Sequence, residues 1–319
     1  MGAEPFWRRM RKLLAGLRRD QRGNAVALVA AGMTVILGAG SMVVDYGRLA
    51  VARVKLQNAA DAAALAGAAR LALDDSADAA VAVAAQYLAL NGAQDGAFAV
   101  SSPEIQVEVQ RDIPYTLGRA LGLTSATVRA SARACYLPVS RVGGAAPLTV
   151  RREDFVYGQR VALKVAHWKD GWLGSGRCGA LRLGGQGANT YEENLKHGYA
   201  GYLAVGDIVE TKPGNMSGPT VRGIDYRLDA CPHDPACTVD SWVRGCPRVL
   251  IVPVSEPYSW NGNAVKEVRI VGFAAFLVQD VVETGDDCNV YGYFVRTVTA
   301  GRADGQQASY GVLTVKLVG

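Results

Sequence analysis

The sequence predicts an α+β protein carried on a membrane helix, and three observations predict it. Ala25 to Val44 (AVALVAAGMTVILGAGSMVV) carries no charge over 20 residues. Asp45 to Asp74 then runs without proline and is rich in alanine. Past residue 147 the pattern changes to short β-branched runs separated by turn residues. The order expected is an N-terminal transmembrane helix continuing into a long Ala-rich helix, a small α/β module, and a mostly β C-terminal domain. In residue numbers this gives a basic tail (1–22), the span (23–44), a helical and α/β module (45–137), a linker (138–147) and a β-rich domain (148–319).

At about 1.5 Å of rise per residue, the charge-free run covers the roughly 30 Å hydrocarbon core of a bilayer. Arg8, Arg9, Arg11, Lys12, Arg18, Arg19 and Arg22 precede it, against only Glu4 and Asp20. By the positive-inside rule the tail stays in the cytoplasm and the bulk of the chain is exported. A cleaved signal peptide is the competing reading. Its apolar core is typically about 7–15 residues long, and Met42-Val43-Val44-Asp45 offers no small-x-small cleavage site. A retained anchor held by membrane lipid is therefore expected.

The formal net charge is +5, and the tail accounts for all of it: the other 297 residues carry 27 charges of each sign. That excess is topological and suits anionic headgroups. No basic patch with interleaved aromatics stands elsewhere, so no nucleic-acid role is assigned. All six cysteines (Cys135, Cys178, Cys231, Cys237, Cys246 and Cys288) follow the span. In an oxidising compartment they read as candidates for up to three disulfides, with the pairing open.

Leu49, Ala52, Leu56, Ala60, Ala63, Gly67 and Leu71 recur at helical spacing and share a face. Ala60, Ala63, Ala64 and Gly67 make that face close-packing, toward either the protein's own next helix or another subunit. The next helix starts near Asp75 or Ser76, runs to Leu90 and stops at Asn91-Gly92. A strand follows at 105–109, then a short helix opened by Pro114 and closed by Gly122, then a strand at 127–134. In the β-rich domain, runs at 160–166, 199–205, 248–254, 267–278, 290–298 and 311–318 suggest a sandwich or barrel. Thr190 and Glu193 have capping-box spacing for a short helix ending at Gly198.

Two constellations there could carry chemistry. Ser217 sits in a Gly-flanked turn before a plausible helix, as a hydrolase serine would, but none of His167, His197 and His233 lies in a base motif. A helix cap is the simpler reading, with Pro219 in the first turn. Cys231, His233, Cys237 and Cys246 are the ligand set of a Cys₃His zinc site. Their spacing fits no standard finger, so a disulfide is the reading taken and no metal or cofactor is assigned. Trp168, Trp172, Tyr191, Tyr199, Tyr202, Trp242, Tyr258, Trp260, Tyr291 and Tyr293 enrich this half in aromatics. Exposed, they would form a recognition surface; core positions and cross-strand pairs are the simpler reading for most of them.

Gly23-Asn24 before the span, Val44-Asp45-Tyr46-Gly47-Arg48-Leu49, and the run Leu56 to Ala68 (LQNAADAAALAGA) resemble the N-terminal module of TadG-like (TadE/TadG-type) Flp pilus-assembly proteins. The resemblance is close over about residues 20–70 and looser to about 137. It implies a non-enzymatic single-pass protein of the bacterial cytoplasmic membrane, with pilin-like and Tad secretion-system partners and a homo- or hetero-oligomeric setting. Some relatives carry a D-x-S-x-S metal site. Asp74-Asp75-Ser76 lacks that spacing. Gly23 and Asn24 also resemble a prepilin-peptidase cleavage site, although the glutamate usual five residues after the cut is Leu28 here. A minor pilin and a membrane-anchored adhesin are the alternatives to an assembly factor.

Overall fold

A computed structural model describes residues 21–165, 177–212, 216–262, 264–284, 287–305 and 307–318. The basic tail up to residue 20 lies outside them, as do His167, Trp168 and Trp172. Helix α1 (Gln21–Asp74) runs 54 residues without a break, about 80 Å at 1.5 Å per residue. Its first half is bare: Leu28, Val35, Ile36, Leu37 and Met42 are each more than 70% exposed. Its second half buries one face, with Leu56, Ala59, Ala60, Ala63, Ala64, Ala68, Leu71 and Ala72 at 3% exposure or less. Asp75, at φ +54°, ends the helix.

Helix α2 (Ala77–Leu90) starts where the capping signal places it. The Ser76 hydroxyl accepts from the Ala79 N–H at 3.3 Å, satisfying one of the free donors of the first turn. Strands β1 (Ala97–Ser101), β2 (Glu104–Pro114) and β3 (Ser125–Pro138) form an antiparallel meander. Ile105, Val107 and Val109 of β2 and Val128, Ala130, Ala132 and Ala134 of β3 face α1 and α2 in one core. Pro114 does not open a helix as expected; it closes β2. Only a single 3₁₀ turn follows (Gly118–Leu121), ended by Gly122 in the left-handed region. A proline tolerates a strand end, where its missing N–H breaks no ladder bond.

The β-rich region contains β4 (Arg141–Gly143), β5 (Leu148–Arg151), β6 (Arg160–Val165), β7 (Arg177–Ala180), helix α3 (Ala188–His197), β8 (Tyr202–Ala204), β9 (Ile208–Glu210), helix α4 (Ser217–Asp229), β10 (Val249–Asn261), β11 (Ala264–Thr284), β12 (Asp287–Val295), β13 (Thr297–Val298) and β14 (Val312–Val318). The order β10-β5-β7-β6-β12-β11 closes on itself, because β11 also pairs with β10. Of the two architectures expected, this is the barrel. Leu148, Val150, Leu163, Leu250, Val252, Phe276, Val290 and Phe294 form one core cluster with Leu195 of α3 and Ile224 of α4. Thr190 is not the cap of α3; Gly187 is, and Gly198 ends the helix as read.

The segment 138–147, expected as a linker, is built into the structure. Val139, Val142, Ala145 and Ala146 are buried, and β4 pairs with β8. The last strand, β14, returns to pair with β3 from Leu313↔Pro138 to Val318↔Arg133. Ala72 of α1 packs against Val298 and Leu313 in the same region. The first sheet is thus completed by residues far along the chain, and the two parts are interlocked.

Gly67 marks the closest approach in the α1 core, where an added Cβ would lie 2.7 Å from Ile105 Cδ1 and 3.1 Å from Ala84 Cβ. Gly67→Val should therefore overpack this core and cost about 1–3 kcal/mol. At Gly47 an added Cβ would meet no side chain or neighbouring element within 4 Å, so alanine there should bring a gain of about 0.5–1 kcal/mol. Thermal unfolding of both variants in detergent checks the opposite signs.

Candidate functional site

The bare apolar half of α1 and the first residues beyond it make the clearest site. In Ala25–Val44 the apolar side chains point outward, and none of the described residues covers them. One helix of the described residues is long and apolar enough to cross a membrane, and its most apolar 18-residue window is 6% buried. Burying such side chains in lipid is worth about 25 cal/mol per Å² of apolar surface removed from water.

Asp45 stands where that surface stops. It is 5% exposed, and its carboxylate accepts from three successive backbone N–H groups: Thr116 at 2.8 Å, Leu117 at 3.2 Å and Gly118 at 2.7 Å. Consecutive N–H groups at the mouth of a tight turn form a concave anion site, and here the anion is the helix's own side chain. Arg48, one turn further along α1, donates to the Thr116 hydroxyl. The two residues clamp the β2–β3 turn onto the helix at the edge of the span. The Thr116 N–H above all, with those of Gly118 and Leu117, holds the Asp45 carboxyl below its ordinary value.

Sequence reasoning did not single out Asp45. The available signal was an acid directly beside a charge-free span, where an uncompensated charge is costly.

The small-residue face is covered from within the chain. Ala60, Ala63 and Ala64 are fully buried, and Gly67 is covered by Ile105, Ala80 and Ala84. Of the two readings of this face, the structure supplies the internal partner: α2 and the β2–β3 sheet. What α1 leaves exposed beyond the span is the opposite side, with Tyr46 at 74%, Val51 at 56% and Val54 at 60%. Gly23 and Asn24 lie within the helical backbone of α1.

The cysteines fall into two groups. Cys135 is buried in β3, Cys288 is buried at the start of β12, and the backbone of Cys178 lies in β7. Cys231, Cys237 and Cys246 converge with His233 in the loop between α4 and β10, each offering one ligand atom, all within 4.8 Å of one another. His233 Nδ1 lies 3.3 Å from Cys237 Sγ and 3.6 Å from Cys231 Sγ, and Cys231 Sγ lies 3.5 Å from Cys246 Sγ. Cys135, Cys231, Cys237 and Cys246 are free thiols. Backbone N–H groups, that of Cys237 first, lower the Cys231 thiol's pKa, whereas burial raises that of Cys246.

The floor of this loop is held by Arg227, 8% exposed, which donates to the Leu195 carbonyl and to the Pro247 carbonyl at 2.9 Å. It ties the last turn of α3 and the start of β10 to α4. Burial lowers its pKa to about 10, so it remains a cation at neutral pH.

Ser217 is not a helix cap. Met216 caps α4, and Ser217 is its first residue, 2% exposed and so closed to substrate. His197 faces Glu193 and the edge of Tyr226, while His233 lies among the thiols. Gly214 and Asn215 lie outside the described residues. Of the aromatics, Tyr191 is buried on Thr220, whereas Tyr202, Tyr258 and Trp260 are exposed. The last two lie near the β10–β11 turn, with Arg269 over the Tyr258 ring at 4.9 Å.

Residues 23–70 match the Tad family model, described as Flp pilus-assembly TadE/G-like. The matched segment holds the span, the Asp45–Arg48 clamp and the small-residue face through Gly67. Comparison with curated proteins and with solved structures returned no match.

The clamp makes a pH prediction. Because the folded Asp45 pKa is lowered, its contribution is present above the unfolded value, about 3.9, and is lost as pH falls through the folded value. Asp45→Asn should lower the thermal midpoint at pH 7, and the gap to the parent protein should close below about pH 4. Melting curves of both proteins between pH 3 and pH 7 test this.

Proposed function

We propose that this protein is a non-enzymatic, single-pass component of a Flp/Tad-type pilus system, acting in assembly or anchoring, with its N-terminus in the cytoplasm and its bulk outside. The observation that carries the reading is the division of one helix between two apolar surroundings, inside the segment that matches the Flp pilus-assembly model. Twenty residues are left for lipid. The following thirty form the spine of the protein's own folded module.

The anchor holds the chain in the membrane through lipid burial. Because the Asp45–Arg48 clamp grips the module directly at the end of the span, a sideways force on the anchor is passed to the body. The exposed flank at Tyr46, Val51 and Val54 is the surface left on α1 for pilin-like or Tad secretion-system proteins, since the small-residue face is already used. Exposed Tyr258 and Trp260 favour a second reading, in which the far end of the barrel binds a surface polymer as an adhesin.

A photoreactive residue at Val54 in intact cells should give adducts to pilin-like or Tad membrane proteins, read by mass spectrometry. The same residue at Ala63 should give only internal crosslinks. If Val54 yields no protein adduct and the full-length protein in detergent retains a surface polymer, the adhesin reading replaces the assembly one. A mature N-terminus at Asn24 in the same spectra would make the protein a processed, pilin-like subunit.

A further inference from the structure

We propose that Cys231, His233, Cys237 and Cys246 bind one zinc-class divalent transition-metal ion, and that this ion staples the loop between α4 and β10 onto the barrel. The donors are three thiols and an imidazole, a set that soft and borderline ions such as zinc select over hard ones. All four come within 4.8 Å of one another although they are spread over Cys-x-His-x₃-Cys-x₈-Cys.

Three of the six ligand spacings match those of a tetrahedron, and all six lie within 4.8 Å. With metal–sulfur bonds of about 2.3 Å and metal–nitrogen bonds of about 2.0–2.1 Å, tetrahedral ligands lie about 3.8 Å apart for two sulfurs and about 3.6 Å for sulfur and nitrogen. The observed separations are 3.5 Å for Cys231 and Cys246, and 3.6 Å and 3.3 Å from the sulfurs of Cys231 and Cys237 to His233 Nδ1. A disulfide needs about 2.05 Å between sulfurs. It would also use two of the three thiols and leave the third, with the imidazole, unexplained.

The surroundings fit metal-bound thiolates. The backbone N–H groups of His233 and Cys237 point to Cys231 Sγ, and that of Arg248 points to Cys246 Sγ. Outer hydrogen bonds of this kind orient sulfur ligands and spread their charge. The Cys237 carbonyl accepts from the Gln279 side chain of β11 at 3.4 Å, which joins the loop to the barrel wall.

The loop itself needs a fastening. From Cys231 to Arg248 it contains neither helix nor strand, a length uncommon in compact domains. Cys231 follows the end of α4 closely, and Cys246 stands just before β10. One ion would therefore tie both ends and the middle at a single point. Four protein ligands leave no open position, so the role is structural and not catalytic.

The test uses the full-length protein purified in detergent without chelators. Elemental analysis should find about one zinc per chain, and all three thiols should alkylate, without reductant, once the protein is denatured and the metal removed. Cobalt(II) in place of zinc should give the thiolate charge-transfer band and intense visible bands of a tetrahedral site. Cys237→Ser and His233→Ala should each weaken metal binding at least tenfold. A metal-free protein in which two of these thiols resist alkylation until reduced would overturn the proposal in favour of a disulfide. So would undiminished metal content in both variants. Should the variants fail to fold, the cobalt spectrum of the unaltered chain decides alone.

Discussion

The structure depends on close approach along one face of α1. A helix that passes from lipid to a protein core cannot change its backbone on the way, so the adjustment must come from side-chain size. In the span, valine, leucine and methionine point outward and maximise apolar surface. Past residue 55 the inward face is mostly alanine and glycine between Leu56 and Leu71, and α2 and the β2–β3 sheet approach until a single added methyl at Gly67 would collide with Ile105. Small residues yield little burial energy apiece. They compensate by bringing two helices and a sheet to a common contact, where many dispersion contacts form together.

The boundary between the two halves of α1 is held by charge. Placing a carboxylate beside a lipid-embedded span is unfavourable unless its lone pairs are used, and Asp45 uses them on three backbone N–H groups. The same contacts satisfy donors that a tight turn leaves unpaired. One side chain therefore solves two problems, its own desolvation and that of the β2–β3 turn. Mechanically, the β2–β3 turn is seated directly on α1 where the charge-free run ends.

The second constraint is the return of β14 to β3. Without it β3 would present an open edge, and Ala72 and Tyr136 would lose the cover of Leu313 and Val315. Along the connecting segment 138–147, Val139, Val142, Ala145 and Ala146 are buried, and the strand within it pairs with β8. The loop between α4 and β10 carries no helix or strand, and it is there that three thiols and an imidazole gather.

Patterns that recur within a few residues were legible in advance. A charge-free run of bilayer length, the Ala-rich periodicity, the Ser76 cap, the Gly198 stop and the alternation of β2 and β3 are local, because 3.6- and 2-residue periods follow from backbone geometry alone. So was the resemblance carried by Gly23-Asn24 and the Gln57-to-Ala68 run. Tertiary structure alone decided which partner covers the small-residue face, where Asp45 sends its lone pairs, that β14 completes the first sheet, and that Cys231 meets Cys246 across 15 residues of loop. Each of these joins residues far apart in the chain, and no local period encodes a contact that loop closure and burial must select.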